Sequence, residues 1–96
     1  MKHLIAVDML SALAHDTRLR VFKLLVRQGP KGLSAGKIAK KLNTPASTLS
    51  FHLAHLTKVE LVSGNRQSRS IIYTVNFDHI ESLLAYLTEN CCKGDL

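Results

Sequence analysis

Two adjacent thiols and one helical face carry the chemistry open to this chain. Cys91 and Cys92 are the only cysteines among its 96 residues. Thiolates are soft ligands and select soft ions. The backbone already tethers the two sulfurs, so gathering both on one ion costs little extra ordering. A pair lying idle at a frayed helix end is the competing reading. The second feature is Pro45–Lys58, PASTLSFHLAHLTK. Leu49, Leu53 and Leu56 fall at i, i+4 and i+7, which is one face of an α-helix. At about 100° per residue, the opposite face carries Ser47, Ser50, Phe51, Ala54, His55 and Lys58. It has no carboxylate, is hydroxylated at its start and cationic at its end. Such a face suits a DNA major groove, where hydroxyls meet phosphates or base edges and an aromatic touches a thymine methyl. The same pattern fits an ordinary half-buried helix with a polar outside, so the neighbouring residues must decide.

Composition narrows the partner. Thirteen Lys and Arg against seven Asp and Glu give a net charge of +6. An excess of that sign suits an anionic partner, and for a small basic domain nucleic acid is the commonest. A membrane surface fits less well, because the basic residues are spread along the chain rather than gathered beside one amphipathic helix. A hydrophobic fraction of 46% argues for a folded domain rather than a disordered one. No apolar run approaches the roughly 20 residues of a membrane span. The opening MKHLIAVDMLSALAHD has an acid inside its apolar stretch and a helical period, which argues against a signal peptide. The expectation is a cytoplasmic protein, with the cysteines kept as thiols.

The elements that must position these residues follow in order. His3–Ala14 reads as a helix with Leu4, Val7, Leu10 and Leu13 along one stripe. Asp16 is the expected N-cap of a second helix, Thr17–Arg27, with Leu19, Phe22, Leu25 and Val26 apolar. Gly29-Pro30-Lys31-Gly32 ends it. Ser34 caps a short helix, Ala35–Leu42, whose outer side carries Lys37, Lys40 and Lys41 and which holds a costly Gly36, a hint of close helix contact. Asn43-Thr44-Pro45 is a turn in which Thr44 caps and Pro45 takes the first helical position. Two helices joined by so short a turn form a helix-turn-helix over residues 34–58. Leu61-Val62 opens a strand, Gly64–Ser68 is a basic turn, and Ser70–Val75 is the returning strand, with Arg66 and Arg69 at or beside the tip. Asp78 is the expected cap of a last helix running to about Asn90, with Glu81 at the capping-box position and Ile80, Leu83, Leu84 and Leu87 as its stripe. The fold class is mainly α with a small β-hairpin (α+β). It is a winged helix-turn-helix of four helices, two strands and one helix, in a single domain over 1–96. Helices 3–14 and 78–90 lie outside the reading unit and are material for a symmetric dimer interface, with the wing at 61–75.

This order of elements resembles the ArsR/SmtB family of metal- and metalloid-responsive winged-helix repressors. Leu13-Ala14-His15-Asp16-Thr17-Arg18 is similar to the family's entry into its second helix. Ser47-Thr48-Leu49-Ser50-Phe51-His52-Leu53, then Leu56 and Leu61-Val62, is similar to its recognition helix and exit, and Arg66–Tyr73 to its wing. The resemblance implies a homodimer on palindromic operator DNA, released by an inducer. Ser47, Thr48, Ser50, Phe51 and His55 would then meet bases or nearby phosphates, and Lys40, Lys41, Lys58, Arg66 and Arg69 would hold the backbone. Three departures limit it. Ser34–Leu42 lacks the family's cysteine motif, the last helix has Asp78 and His79 but no second His, and Ser68 stands where many members have Gly. Glu89-Asn90-Cys91-Cys92-Lys93-Gly94 resembles arsenic-responsive members with a vicinal thiol pair after the last helix.

The implied inducer is trivalent arsenic or antimony, or an organoarsenical such as methylarsenite, at Cys91 and Cys92, with no constitutive cofactor. Such ions prefer three sulfurs. A hydroxide, a small thiol, a partner thiol or a carbon substituent must then complete the set. Zinc would want four ligands, to which His3 or His79 could contribute. Lys93 is expected to lower the thiol pKa. Thiol oxidation to a strained vicinal disulfide, or another ligand, is the alternative signal. Of the histidines, His55 should face outward, His52 should pack at the edge of the core, and His15 should mark a helix boundary. An enzyme is not expected: there is no C-x-x-C and no glycine-rich phosphate loop. Ser47, Ser50, His52 and His55 lack an orienting carboxylate for a triad. A sequence-blind architectural DNA binder would show a steep salt dependence without operator preference.

Overall fold

The computed structural model describes residues 1–94. Its elements are α1 (His3–Leu13), α2 (Asp16–Gln28), a 3-10 turn (Gly29–Lys31), β1 (Leu33–Ser34), α3 (Ala35–Leu42), α4 (Ala46–Lys58), β2 (Val62–Gln67), β3 (Ser70–Val75) and α5 (Phe77–Leu87). This is the winged helix-turn-helix expected from the sequence, with one addition. Leu33 and Ser34 pair antiparallel with Tyr73 and Ile72, so the hairpin becomes a three-stranded sheet of order β1-β3-β2. Two residues are too short a run for any periodicity to show.

The core gathers where α2, α3, α4 and the base of the sheet meet. Val21, Leu25, Ile38, Leu49, Leu53, Leu56, Leu61 and Val62 are buried there. Gly32 fixes how the α2–α3 connection crosses the sheet. It has φ +65, and a Cβ on it would meet the carbonyl oxygen of Tyr73. Only glycine takes that conformation at that distance from the strand without strain.

Several helix ends differ from expectation. α2 begins at Asp16, with His15 in the cap position and no side-chain cap bond; Asp16 instead pairs with Arg20 at 3.2 Å across one helical turn. Thr44 does not cap α4. Pro45 holds that position, while the Thr44 hydroxyl donates to the Leu42 carbonyl at 3.3 Å. Asn76, not Asp78, precedes α5. Its side chain is taken by the β2 entry, accepting from Ser63 Oγ at 2.6 Å and donating to the Glu60 carbonyl at 2.8 Å. α5 ends at Leu87 rather than Asn90. The basic turn narrows to Ser68-Arg69, because Gln67 pairs with Ser70 and the strand runs through Gly64–Gln67. Ser68 has φ 60, a left-handed conformation that explains why glycine suits this place. A Cβ on Gly36 would meet nothing within 4 Å, so no close helix contact requires it.

The apolar stripes of α1 and α2 also shift. α1 buries Ala6, Met9 and Ala12 and leaves Leu4, Ile5, Val7 and Leu10 exposed. α2 buries Val21, Phe22 and Leu25, while Leu19 and Val26 are exposed. On α5 only Leu83 is buried, and Leu84 and Leu87 are exposed. Among the described residues no helix is long and apolar enough to cross a membrane.

Candidate nucleic-acid interface and thiol tail

Ser34 caps α3 as its sequence position implies: its Oγ accepts from the Lys37 backbone N–H at 3.3 Å. That satisfies one of the first-turn donors a helix leaves open. At the other end Asn43 turns left-handed with φ 51, a conformation asparagine tolerates better than most residues. The chain then re-enters helix at Ala46. Leu49, His52, Leu53 and Leu56 face the core. Ser47, Thr48, Ser50, Phe51, Ala54 and Lys58 are exposed, and Phe51 keeps 67% of its surface open to solvent. The ring meets His52 edge-on at 5.7 Å between centroids and otherwise stands open beside three hydroxyls.

The C-terminal part of this face is less free. Phe51, His55 and Lys58 share a cleft of about 410 Å³ with Asp8 and Ser11 of α1. His55 is half-buried rather than outward. The acid within the first apolar stretch thus stands beside the cationic end of α4, and the carboxylate-free surface is the N-terminal half. Lys40 and Lys41 lie exposed in the last turn of α3. Arg66 is exposed near the end of β2, and Arg69 is exposed in the tip turn.

Under α4 lies a cluster that spacing did not disclose. Arg18 Nε donates to the Ala12 carbonyl at 2.7 Å, and its Nη1 reaches His52 Nδ1 at 3.5 Å. The ring of His15 lies 4.6 Å from that of His52, centroid to centroid. A guanidinium can only donate, so His52 Nδ1 accepts and the imidazole is neutral. Burial, followed by the positive fields of His15, Arg18 and His55, holds the His52 pKa below its ordinary 6.5. One arginine therefore joins the end of α1 to the underside of α4. Arg18 and His52 are 34 positions apart, and no local period connects them.

At the far end Cys91 and Cys92 are both exposed thiols. The neighbouring Cys92 thiol raises the Cys91 pKa from its ordinary value, with a smaller contribution from burial. The expected lowering by Lys93 is not what governs Cys91; the neighbouring thiol is. Among the described residues no group of three or more His, Cys, Asp or Glu side chains could hold a metal ion. Neither His3 nor His79 completes a site with the cysteines. His3 Nδ1 instead meets the Tyr86 hydroxyl at 2.6 Å. His79 Nδ1 donates to the Glu60 carbonyl at 2.7 Å.

Comparison with known proteins gives one consistent answer. Residues 13–64 match the family described as "Helix-turn-helix domain". The chain is 28% identical over 90 residues to the transcriptional activator HlyU of Vibrio cholerae, covering 94% of this chain and 81% of that protein. A solved structure of that HlyU superposes with a TM-score of 0.75 at 28% identity, covering 96% of this chain and 99% of that one. The chain is 33% identical to the nodulation protein NolR of Rhizobium meliloti, over 88% of this chain and 67% of that protein. The homodimeric winged helix-turn-helix DNA-binding domain of Mb0332 from Mycobacterium bovis is described as a possible ArsR-family regulator. It superposes with a TM-score of 0.73 at 25% identity, covering 88% and 75% of the two chains.

Proposed function

The chain belongs to the ArsR/SmtB family of winged helix-turn-helix transcriptional regulators, and from that premise we propose a homodimeric repressor that leaves its operator when a soft metalloid binds Cys91 and Cys92. One observation carries the DNA-binding part: the N-terminal half of α4 is exposed, hydroxylated, free of carboxylate and flanked by the cations of α3 and the wing. In a symmetric dimer two such helices would enter successive major grooves about one helical turn apart. Ser47, Thr48, Ser50 and Phe51 would meet base edges, and Lys40, Lys41, Arg66 and Arg69 the phosphates. His55 and Lys58, lining the cleft with Asp8, would reach only phosphates at its margin.

The dimer forms through α1 and α5. Leu4, Ile5, Val7 and Leu10 on α1, with Phe77, Leu84 and Leu87 on α5, are seven of the twelve large apolar side chains exposed among the described residues. Fully burying one such side chain is worth roughly 1.5–3 kcal/mol, so a handful supplies a stable contact. The inducer part rests on two adjacent cysteines that are both free and exposed. Trivalent arsenic in its hydrated form, As(OH)3, would exchange two hydroxyls for two sulfurs, forming two As–S bonds and releasing two waters. The third position keeps hydroxide or takes a partner thiol. The tail follows directly from α5, so ligation there would bias the dimer geometry on which groove spacing depends. A coupling of 1–3 kcal/mol would weaken the operator complex roughly 5- to 150-fold.

The test is a gel shift on the gene's own upstream DNA, with arsenite, antimonite, methylarsenite, zinc and peroxide in parallel. Release by the trivalent metalloids, and not by zinc, supports the reading. Release by peroxide alone transfers the reading to thiol oxidation, and no release by any of them removes the inducer.

A further inference from the structure

A second cleft, of about 620 Å³, lies between α3 and the wing. Lys37 and Lys41 of α3 and Lys31 of the preceding 3-10 turn line it, and Gln67 and Ser70 line it from the hairpin. None of its lining residues is acidic. All three lysines are exposed, and none is in an ion pair or a side-chain hydrogen bond among the described residues. The cleft has a rigid floor. Gly32 packs its backbone against the Tyr73 carbonyl, and β1 is hydrogen-bonded to β3. Its floor is therefore fixed by main-chain contacts. Gln67 and Ser70 face each other across the last rung before the tip turn, and α3 leads through Asn43 into α4. The two elements that flank the reading helix thus also flank the cleft.

We infer that this cleft is a further seat for phosphate, which through Lys31 and Lys37 holds the sugar–phosphate strand of duplex lying outside the half-site, with Lys41 at the border between the two, and lengthens the footprint of each protomer. Three ammonium groups neutralise the strand as point charges, and the Gln67 amide and Ser70 hydroxyl donate to its oxygens. A cation-lined concavity without a carboxylate suits a polyanion, which can engage all three lysines at once. The inference rests on the DNA-binding reading above, but its contribution is to length and salt dependence rather than to sequence choice.

The experiment compares Lys31→Ala/Lys37→Ala with the native chain on two duplexes: the core operator alone and the core with about ten further base pairs on each side, one helical turn. Each lost phosphate contact lowers the salt slope by about 1. The double variant should therefore bind the long duplex with a slope smaller by about 2 per protomer, while its affinity for the core stays within twofold. Lys23→Ala on α2, outside the cleft, should leave both duplexes unaffected. Equal losses on both lengths, no loss on the long one, or the same loss with Lys23→Ala overturns the inference. Calorimetric titration with inorganic phosphate adds a further arm. Saturable millimolar-or-tighter binding that the double variant loses would reassign the cleft to a small anion. If the native chain binds neither duplex, the DNA-binding reading itself fails, which is a different result from a native chain that binds both equally.

Discussion

α4 buries Leu49, Leu53 and Leu56 and turns small and polar residues outward; α1 buries Ala6, Met9 and Ala12 and turns Leu4, Val7 and Leu10 outward. The reading half is complete within one protomer, its apolar face used and its polar face left for another molecule. The α1 and α5 half is incomplete: beyond Met9 and Leu83, the large side chains Leu4, Ile5, Val7, Leu10, Leu84 and Leu87 face solvent. A helix that hides alanine and shows leucine is built for a second protein surface. The Arg18 guanidinium joins α1 to α4, touching both the Ala12 carbonyl and His52, as His79 joins α5 to the Glu60 carbonyl.

Removing a leucine from each half should separate the two most strongly. Leu53→Ala should cost about 2–5 kcal/mol in urea unfolding, as expected for a buried leucine. Leu84→Ala, compared at protein concentrations where the dimer is dissociated, should cost no more than about 0.5 kcal/mol. Equal losses would mean that the α5 surface is not open. Next, Leu4→Glu with Leu84→Glu should convert dimer to monomer in sedimentation equilibrium, because a carboxylate would be buried unpaired. A double variant that remains dimeric moves the interface elsewhere.

A third test acts on the link. His52 is held below its ordinary pKa, so the unfolded chain binds more protons in that range and stability rises with pH. The contribution is complete above pH 6.5 and is lost as pH falls below 6.5 toward the folded value. Urea titrations from acid to neutral should show this trend in the native chain and a flatter one in His52→Gln. An unchanged slope would place the proton uptake on another group. Smaller effects follow on the surface. Arg66→Ala should lower the salt slope by about 1 per protomer and weaken all sequences alike, as read by anisotropy across a salt series. Gly36→Ala should stabilise the chain by up to about 1 kcal/mol, since a Cβ there meets nothing.

The differing legibility of the two halves has the same origin. Leu49, Leu53 and Leu56 were readable as a buried stripe because helical periodicity reports burial when one protomer supplies the whole core. The α1 stripe of Leu4, Val7 and Leu10 was equally periodic, yet it faces away from its own core. Periodicity tells that a face is covered, not by which chain. Caps failed where side chains had distant partners: Asn76 is claimed by Ser63 and Glu60, and no local rule ranks that above Asp78. β1 and the Arg18–His52 contact depend on residues tens of positions apart. The cleft at Asp8 likewise appears only when α1 is laid beside α4.

In the proposed mechanism, thiol ligation at one end loosens DNA at the other. Fluorescence anisotropy of the protein on a labelled upstream duplex, titrated with arsenite, tests it most directly. Release should be complete near one arsenic per thiol pair and absent in Cys91→Ser/Cys92→Ser. Continued DNA binding after both thiols are titrated, or identical release by the serine variant, would contradict it.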